Sequence, residues 1–245
     1  MSVIGNLSKT KYEFGKDAGI MVYGKIKITF TKNAGVVFTI KATTYFQLQY
    51  EGRNITYVSN GENTVINSYQ IDSNYFYLVG DITSIKSMVE HPYSSDMKIH
   101  VYDMPMLQSI VSTGNHFMPS NFSIVNTHKL QNLTTLEATG YGATSYDFSD
   151  LSGLTELNLS YNASLASLAL PKFAYSGDET GFKTLALCDT ALASETAINT
   201  AWESIIENLP TRTEEHKGTL IGIGYGDLRT ALSTALASKH WNVRS

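Results

Sequence analysis

Cysteine is almost missing from this chain: Cys188 stands alone in 245 residues. One cysteine excludes an intramolecular disulfide framework and any cysteine-cluster metal site, and leaves the redox compartment open. Charge is scarce too. Charged residues make up 16% of the sequence, where an average soluble domain carries about 25%. The net charge is −4, a mild acidic balance that gives no long-range attraction for nucleic acid or an anionic membrane, so neither partner is expected. No apolar run approaches the roughly 18 residues needed to cross a bilayer, so membrane insertion is not expected either. The first ten residues, Met1 to Thr10, hold no basic segment, apolar stretch or cleavage box. The expectation is synthesis in the cytoplasm without a signal peptide.

Catalytic patterns are equally sparse. The histidines His91, His100, His116, His128, His216 and His240 include no H-x-H, H-x-x-H or H-E-x-x-H pair. No G-x-S-x-G elbow occurs. Gly222-Ile223-Gly224-Tyr225-Gly226 lies between a strand and a helix, the context of a phosphate-binding loop. Its spacing is not G-x-G-x-x-G, however, and no βαβ unit precedes it. A turn with positive φ explains these glycines. Asp147, Asp150, Asp178 and Glu179 lack the density of a calcium loop and read as solvated loop charges. No cofactor, metal or catalytic residue is therefore expected, and the chain is not expected to be an enzyme.

Ser, Thr, Asn, Gly and Tyr fill the places that charge leaves, with 15 tyrosines in all. Ile20 to Phe30 alternates, Ile26, Ile28 and Phe30 being separated by Lys27 and Thr29. That period of two marks a half-buried strand. Asn33-Ala34-Gly35 turns the chain into Val36 to Ile40, and Tyr45 to Tyr50 alternates again. Turn residues at Glu51 to Asn54 and Asn60 to Asn63, then a β run over Tyr75 to Val79, predict a small antiparallel sandwich or open barrel.

Beyond Gly80 a repeat takes over. Leu154 to Asn162 reads L-x-x-L-x-L-x-x-N, the leucine-rich-repeat core. Leu133-Thr134-Thr135-Leu136-Glu137-Ala138 lies 21 residues before it, and Phe182-Lys183-Thr184-Leu185-Ala186-Leu187 lies 28 after it. A weaker copy starts at Leu107, 26 residues before the Leu133 block, and Ile82 to Ser87 reads as an eroded first rung. Leu165 to Leu170, and Phe122, Val125 and Thr127, echo the blocks at about half a period. Extended segments on both sides of each rung account for this. One rung cannot bury its leucines, whereas stacked rungs share a core. Asn162 is placed to satisfy backbone groups at the turn, with Asn115 its only counterpart.

A helix is predicted from Ser194, as N-cap, to Leu209, with Ile198, Trp202, Ile205, Ile206 and Leu209 on one face. A strand over Thr219 to Ile223, a helix over Asp227 to Lys239 and a short extended piece at Trp241 to Val243 follow. Stacks need ends that keep the apolar core from water, so this segment reads as a cap.

Leu209-Pro210-Thr211-Arg212-Thr213, Gly218-Thr219-Leu220-Ile221 and Lys239-His240-Trp241-Asn242-Val243 resemble the closing segment of leucine-rich-repeat proteins of Bacteroidetes and of their phages and prophages. Glu214 stands where that group usually has Gly. The resemblance covers roughly residues 97–245. It implies a binding or structural role on a cell surface or a phage-like particle, without enzyme activity.

The expected architecture is thus β-rich α+β: an N-terminal antiparallel β-sandwich-like domain over 1–80, a leucine-rich-repeat stack over 81–190 and an α/β C-terminal cap over 191–245. The outward positions of the repeat strands form the expected partner face: Ser109, Thr135, Glu137, Glu156, Asn158 and Thr184, extended by Tyr141 and Tyr161. A small, polar face with aromatic edges suits contact with a protein or glycan on a host surface, or with neighbouring subunits of a particle. A tail component of a phage-like particle, present as a homo-oligomer, is the first expectation, and a cell-surface adhesin the alternative.

Overall fold

The computed structural model describes residues 24–31, 35–90, 94–118, 120–175 and 179–245. His91, Asp178, the turn residues Asn33 and Ala34, and the part of the first expected strand before Gly24 lie outside them. The chain is β-rich, 42% strand and 14% helical, with a large mixed sheet as its frame.

The first strands follow the period-two alternation. In β1 (Gly24–Phe30), Ile26, Ile28 and Phe30 point into the core and Lys25, Lys27 and Thr29 point out. The expected strands at 36–40 and 45–50 are one long strand, β2 (Val36–Tyr50). It pairs antiparallel with β3 (Arg53–Val58), β4 (Asn63–Asn67) and β5 (Tyr75–Val89). The β2–β5 register slips between Lys41 and Phe46, so a bulge takes up Thr43 to Tyr45. Asp81 fills this bulge: one carboxylate oxygen accepts bonds from the Thr44 backbone N–H at 3.0 Å and the Thr44 hydroxyl at 2.9 Å.

Strand β5 runs without a break through residues 80 and 81, where a domain boundary was expected, and its two halves have different neighbours. Tyr75 to Gly80 pairs with β1, while Ser84 to Met88 pairs in parallel with β7 (Ser109–Thr113). From β7 the sheet continues in parallel through β9 (Thr135–Thr139), β11 (Glu156–Asn158), β13 (Thr184–Ala186), β14 (Gly218–Ile221) and β15 (Trp241–Arg244). One inward row runs along this front layer: Ile85, Ile110, Leu136, Leu157, Leu185 and Leu220, all essentially inaccessible to water. Each such side chain contributes about 1.5–3 kcal/mol by burial.

The blocks aligned by sequence pair with each other in register, and the unequal intervals between them are taken up in loops. Backbone hydrogen bonds tie each strand entry to the one before: Gln108 N–H to Thr83 O, Thr134 to Gln108, Thr155 to Thr134, Lys183 to Thr155 and Thr219 to Lys183. Thr134 and Thr155 add hydroxyl bonds to the same carbonyls at 3.1 Å.

The half-period segments form a second layer behind the first. β6 (Met97–Asp103) pairs antiparallel with β1 and parallel with β8 (Phe122–Val125). Further along, β10 (Ser145–Asp147) pairs in parallel with β12 (Ser167–Ala169) as a separate two-stranded sheet. Because β1 bonds to both β5 and β6, the front and back layers are joined at the N-terminal end. The apolar residues of both layers merge into one core.

The helical end differs in detail from expectation. The first helix, α1 (Thr200–Asn208), starts five residues later than the sequence pattern predicts. Its N-cap is Asn199, whose side chain accepts from the Trp202 N–H at 3.1 Å. Ser194 instead closes a short 3-10 turn, its hydroxyl donating to Thr190 O. Trp202 and Ile205 are buried, and the indole N–H of Trp202 donates to Leu192 O. The second helix, α2 (Asp227–Ala237), buries Leu228, Leu232 and Leu236.

Candidate functional site: the front sheet face and its rims

Two outward rows cross the front layer. Ser84, Ser109, Thr135, Glu156, Thr184, Thr219 and Asn242 are direct lateral neighbours. Lys86, Val111, Glu137, Asn158, Ala186, Ile221 and Arg244 form the next row. Six of the residues read from the sequence therefore do meet on one surface: Ser109, Thr135, Glu156 and Thr184 in the first row, Glu137 and Asn158 in the second.

Tyr161 joins this surface at its rim. It is 51% exposed in a left-handed turn, φ 64°, and its backbone N–H bonds to Cys188 O. Tyr141 does not join it, which corrects the sequence reading. The residue is 1% exposed; its ring packs 5.2 Å from Phe122 and its hydroxyl lies 2.6 Å from Ser112 Oγ, itself 2.8 Å from Ser87 Oγ. Gly140 adopts φ 76°, which turns the chain so that the following side chain enters the core. Burial pushes the Tyr141 hydroxyl up to about 12, against the hydrogen bond with Ser112. Burial also raises Tyr146 on the back layer.

Several members of the face were not legible from the repeat blocks. Thr219, Ile221, Asn242 and Arg244 come from the cap, whose strands extend the same sheet. Met88 comes from β5, just beyond the eroded first block that holds Lys86. At the end of the strands, exposed His116, Phe117 and Met118 gather near Tyr161, with His116 and Tyr161 rings 5.9 Å apart. The only signal for the cap strands was the x-Leu-x and x-Val-x alternation at Thr219 to Ile221 and Asn242 to Arg244.

Asn162 holds the turn behind the rim. Its carbonyl oxygen accepts from Tyr141 N–H at 2.7 Å, and its amide donates to Ala138 O at 2.6 Å and Leu159 O at 2.7 Å. Thr190 occupies the matching place one rung later and makes part of the same pattern, donating to Leu187 O at 2.9 Å. Asn115 is buried and bonds locally to the Phe117 N–H.

The electrostatics are weak. Glu156 and Lys183 form an exposed pair at 3.8 Å, an interaction of little strength in water. Hydrogen bonds from the Ser149 hydroxyl and backbone hold Asp147 below the usual carboxylate range. Asp150 accepts from the Thr127 hydroxyl. Glu214, off the face, is lowered by Lys217 and then His240. Among the described residues no three of His, Cys, Asp and Glu converge as a metal-binding group would require. Among the described residues no helix is long and apolar enough to cross a membrane. A shallow depression of about 330 Å³ lies where the front strands begin, lined by Pro105, Met106, Gln108, Gln131, Asn132, Thr134 and Gly153, none of them titratable.

The glycine run has a packing role. A Cβ on Gly222, which adopts φ 95°, would stand 2.3 Å from Cys188 N, so this turn lies directly on the rung beneath it. No family model, curated protein or solved structure matches the chain.

Proposed function

We propose that the chain is a non-catalytic binding and structural protein: a leucine-rich-repeat stack with an antiparallel β cap at one end and an α/β cap at the other. The observation that carries this reading is the register of the front layer. Blocks separated by 26, 21 and 28 residues set Ile110, Leu136, Leu157 and Leu185 side by side, with the length differences left to loops, as repeat stacks allow. The buried three-bond anchor of Asn162 and the partial substitute at Thr190 support it.

The working surface in this reading is the front face, with Ser109, Thr135, Glu137, Glu156, Asn158 and Thr184 at its centre and Tyr161 at its rim. Its setting is a phage or phage-like tail, where the stack contacts a host-surface protein or glycan. Low charge and short polar side chains favour contact by hydrogen bonds and shape over electrostatic capture. The test is binding of the fluorescently labelled chain to intact cells from a panel of Bacteroidetes strains. Wild type is expected to label a subset of strains, and Thr135→Arg/Thr184→Arg, which crowds the first row, to lose that labelling while keeping its circular dichroism spectrum. No labelling of any strain, or equal labelling by the variant, would overturn the receptor-contact reading.

A further inference from the structure

A second surface, on the far side of the N-terminal strands, has a different chemistry. The outward residues of β8, β6, β1, β5 and β2 form lateral rows. Val125, His100, Lys27, Tyr77 and Gln49 make one. Ser123, Lys98, Thr29 and Tyr75 make another. Lys25 lies beside Val79, and Gln47 follows.

Lysines and tyrosines interleave here. Lys25 Nζ sits 4.4 Å from the Tyr77 ring centre and 5.5 Å from that of Tyr102. Lys27 Nζ sits 4.3 Å from the Tyr75 ring and 5.7 Å from Tyr77. His100 stacks on Tyr102 at 4.8 Å with the rings parallel. Cation–π attraction of this kind holds the ammonium groups in place over the rings.

The rows contain three lysines and a histidine against a single carboxylate, Asp103, the register partner of Lys25, on a chain whose net charge is −4. Among the described residues, Lys25, Lys27 and Lys98 make no ion pair. Asp103, across from Lys25 at the end of β6, makes none with it. Among the described residues positive charge is therefore in excess on this sheet face. Burial lowers the Lys25 ammonium from its ordinary range.

We propose that this face binds an acidic polysaccharide, one carrying carboxylates along its length. The charge pattern asks for a polyanion, since Lys25 and Lys27 lie about 6.8 Å apart along one strand and a single anion cannot meet both with Lys98. The ring geometry selects the kind. Binding of single-stranded nucleic acid relies on bases stacking on open aromatic faces, and here lysines and the His100 ring occupy faces of Tyr75, Tyr77 and Tyr102. What points outward is ammonium, imidazole, phenol and amide, groups that match carboxylates and sugar hydroxyls. The proposal is independent of the front face, which lies on a different part of the sheet.

The probe is polygalacturonate, added to the full chain in affinity electrophoresis and in calorimetric titration. Its methyl ester serves as the neutral counterpart and oligothymidylate as a polyanion without sugar carboxylates. The expected result is retardation by polygalacturonate that weakens with salt, none by the ester and much less by oligothymidylate. Lys25→Gln/Lys27→Gln removes two charge-assisted contacts and should weaken binding at least about tenfold, whereas Lys183→Gln on the front face should change nothing. Lys98→Gln alters one exposed side chain; should the double variant fail to fold, this variant must still weaken binding by about threefold. No binding at low ionic strength, equal binding of the ester or of oligothymidylate, or unchanged binding in Lys98→Gln would overturn the proposal.

Discussion

Replacing Asn162 with Ala should remove about 3–6 kcal/mol of folding stability. The side chain is completely buried and makes three hydrogen bonds, all to backbone: Tyr141 N–H, Ala138 O and Leu159 O, at 2.6–2.7 Å. The three partner residues are buried as well, so water cannot replace what is lost. Each orphaned backbone group costs about 1–3 kcal/mol, and taking the lower half of that range for three groups gives the figure above. Against a total of about 5–15 kcal/mol for a typical domain, the effect is large. Urea denaturation followed by the fluorescence of Trp202 and Trp241 measures it, with the slope unchanged if the unfolded state is unaffected. The structure also supplies a graded control. Thr190, one rung on, makes the bond to the carbonyl three residues back, so Asn162→Thr should recover part of the loss and fall between wild type and Ala. A loss below about 1 kcal/mol for Asn162→Ala would refute the reasoning, because the turn would then hold without its anchor.

Gly222→Ala should destabilise by more than about 2 kcal/mol, since φ is 95° and the new Cβ meets Cys188 backbone at 2.3 Å; a thermal melt reads this, and a neutral result would mean that the turn does not lie on the rung beneath. Arg212 is buried and donates from Nε to His216 O at 2.6 Å and from Nη1 to Thr180 O and Phe182 O, so Arg212→Met should cost about 2–4 kcal/mol and raise hydrogen exchange in the cap loop. Alkaline stability should follow Tyr141. Its folded-state hydroxyl is pushed up to about 12 from an ordinary value of 10.0, so below pH 10 neither state ionises. Between the two values the unfolded chain releases the proton first and stability falls, by about 1.4 kcal/mol per pH unit. Tyr141→Phe should flatten that slope in denaturation curves collected across the range, and an unchanged slope would contradict it.

The strongest sequence signal was distance between like residues, and it transferred directly to register: Leu136, Leu157 and Leu185 are lateral neighbours as their blocks predicted. The half-period echoes at Phe122 and Leu165 likewise mark the back strands β8 and β12. Signals failed where a single dihedral angle or a bulge decides. Tyr141 follows a polar-looking strand end, and only the positive φ of Gly140 sends it inward. The helix start shifted because Ser194 found a partner in Thr190 O, leaving Asn199 to cap α1. Lys41 to Thr44 read as a break between strands, but β2 runs through it with a bulge, and Asp81 from β5 holds the Thr44 backbone. The lysine–tyrosine face was invisible for another reason. Each strand shows its alternation, yet the rows depend on pairing β1 with β5 and β6, which are distant in sequence and carry no common motif.

The central claim is a binding scaffold that works as part of a symmetric particle, and the molar mass of the purified chain by multi-angle light scattering tests it most directly. Closed symmetric assembly is the rule for soluble oligomers, and the account predicts a single species at a whole-number multiple, two or more, of the 27.0 kDa chain mass. A species that stays at 27.0 kDa across the concentration range would contradict it.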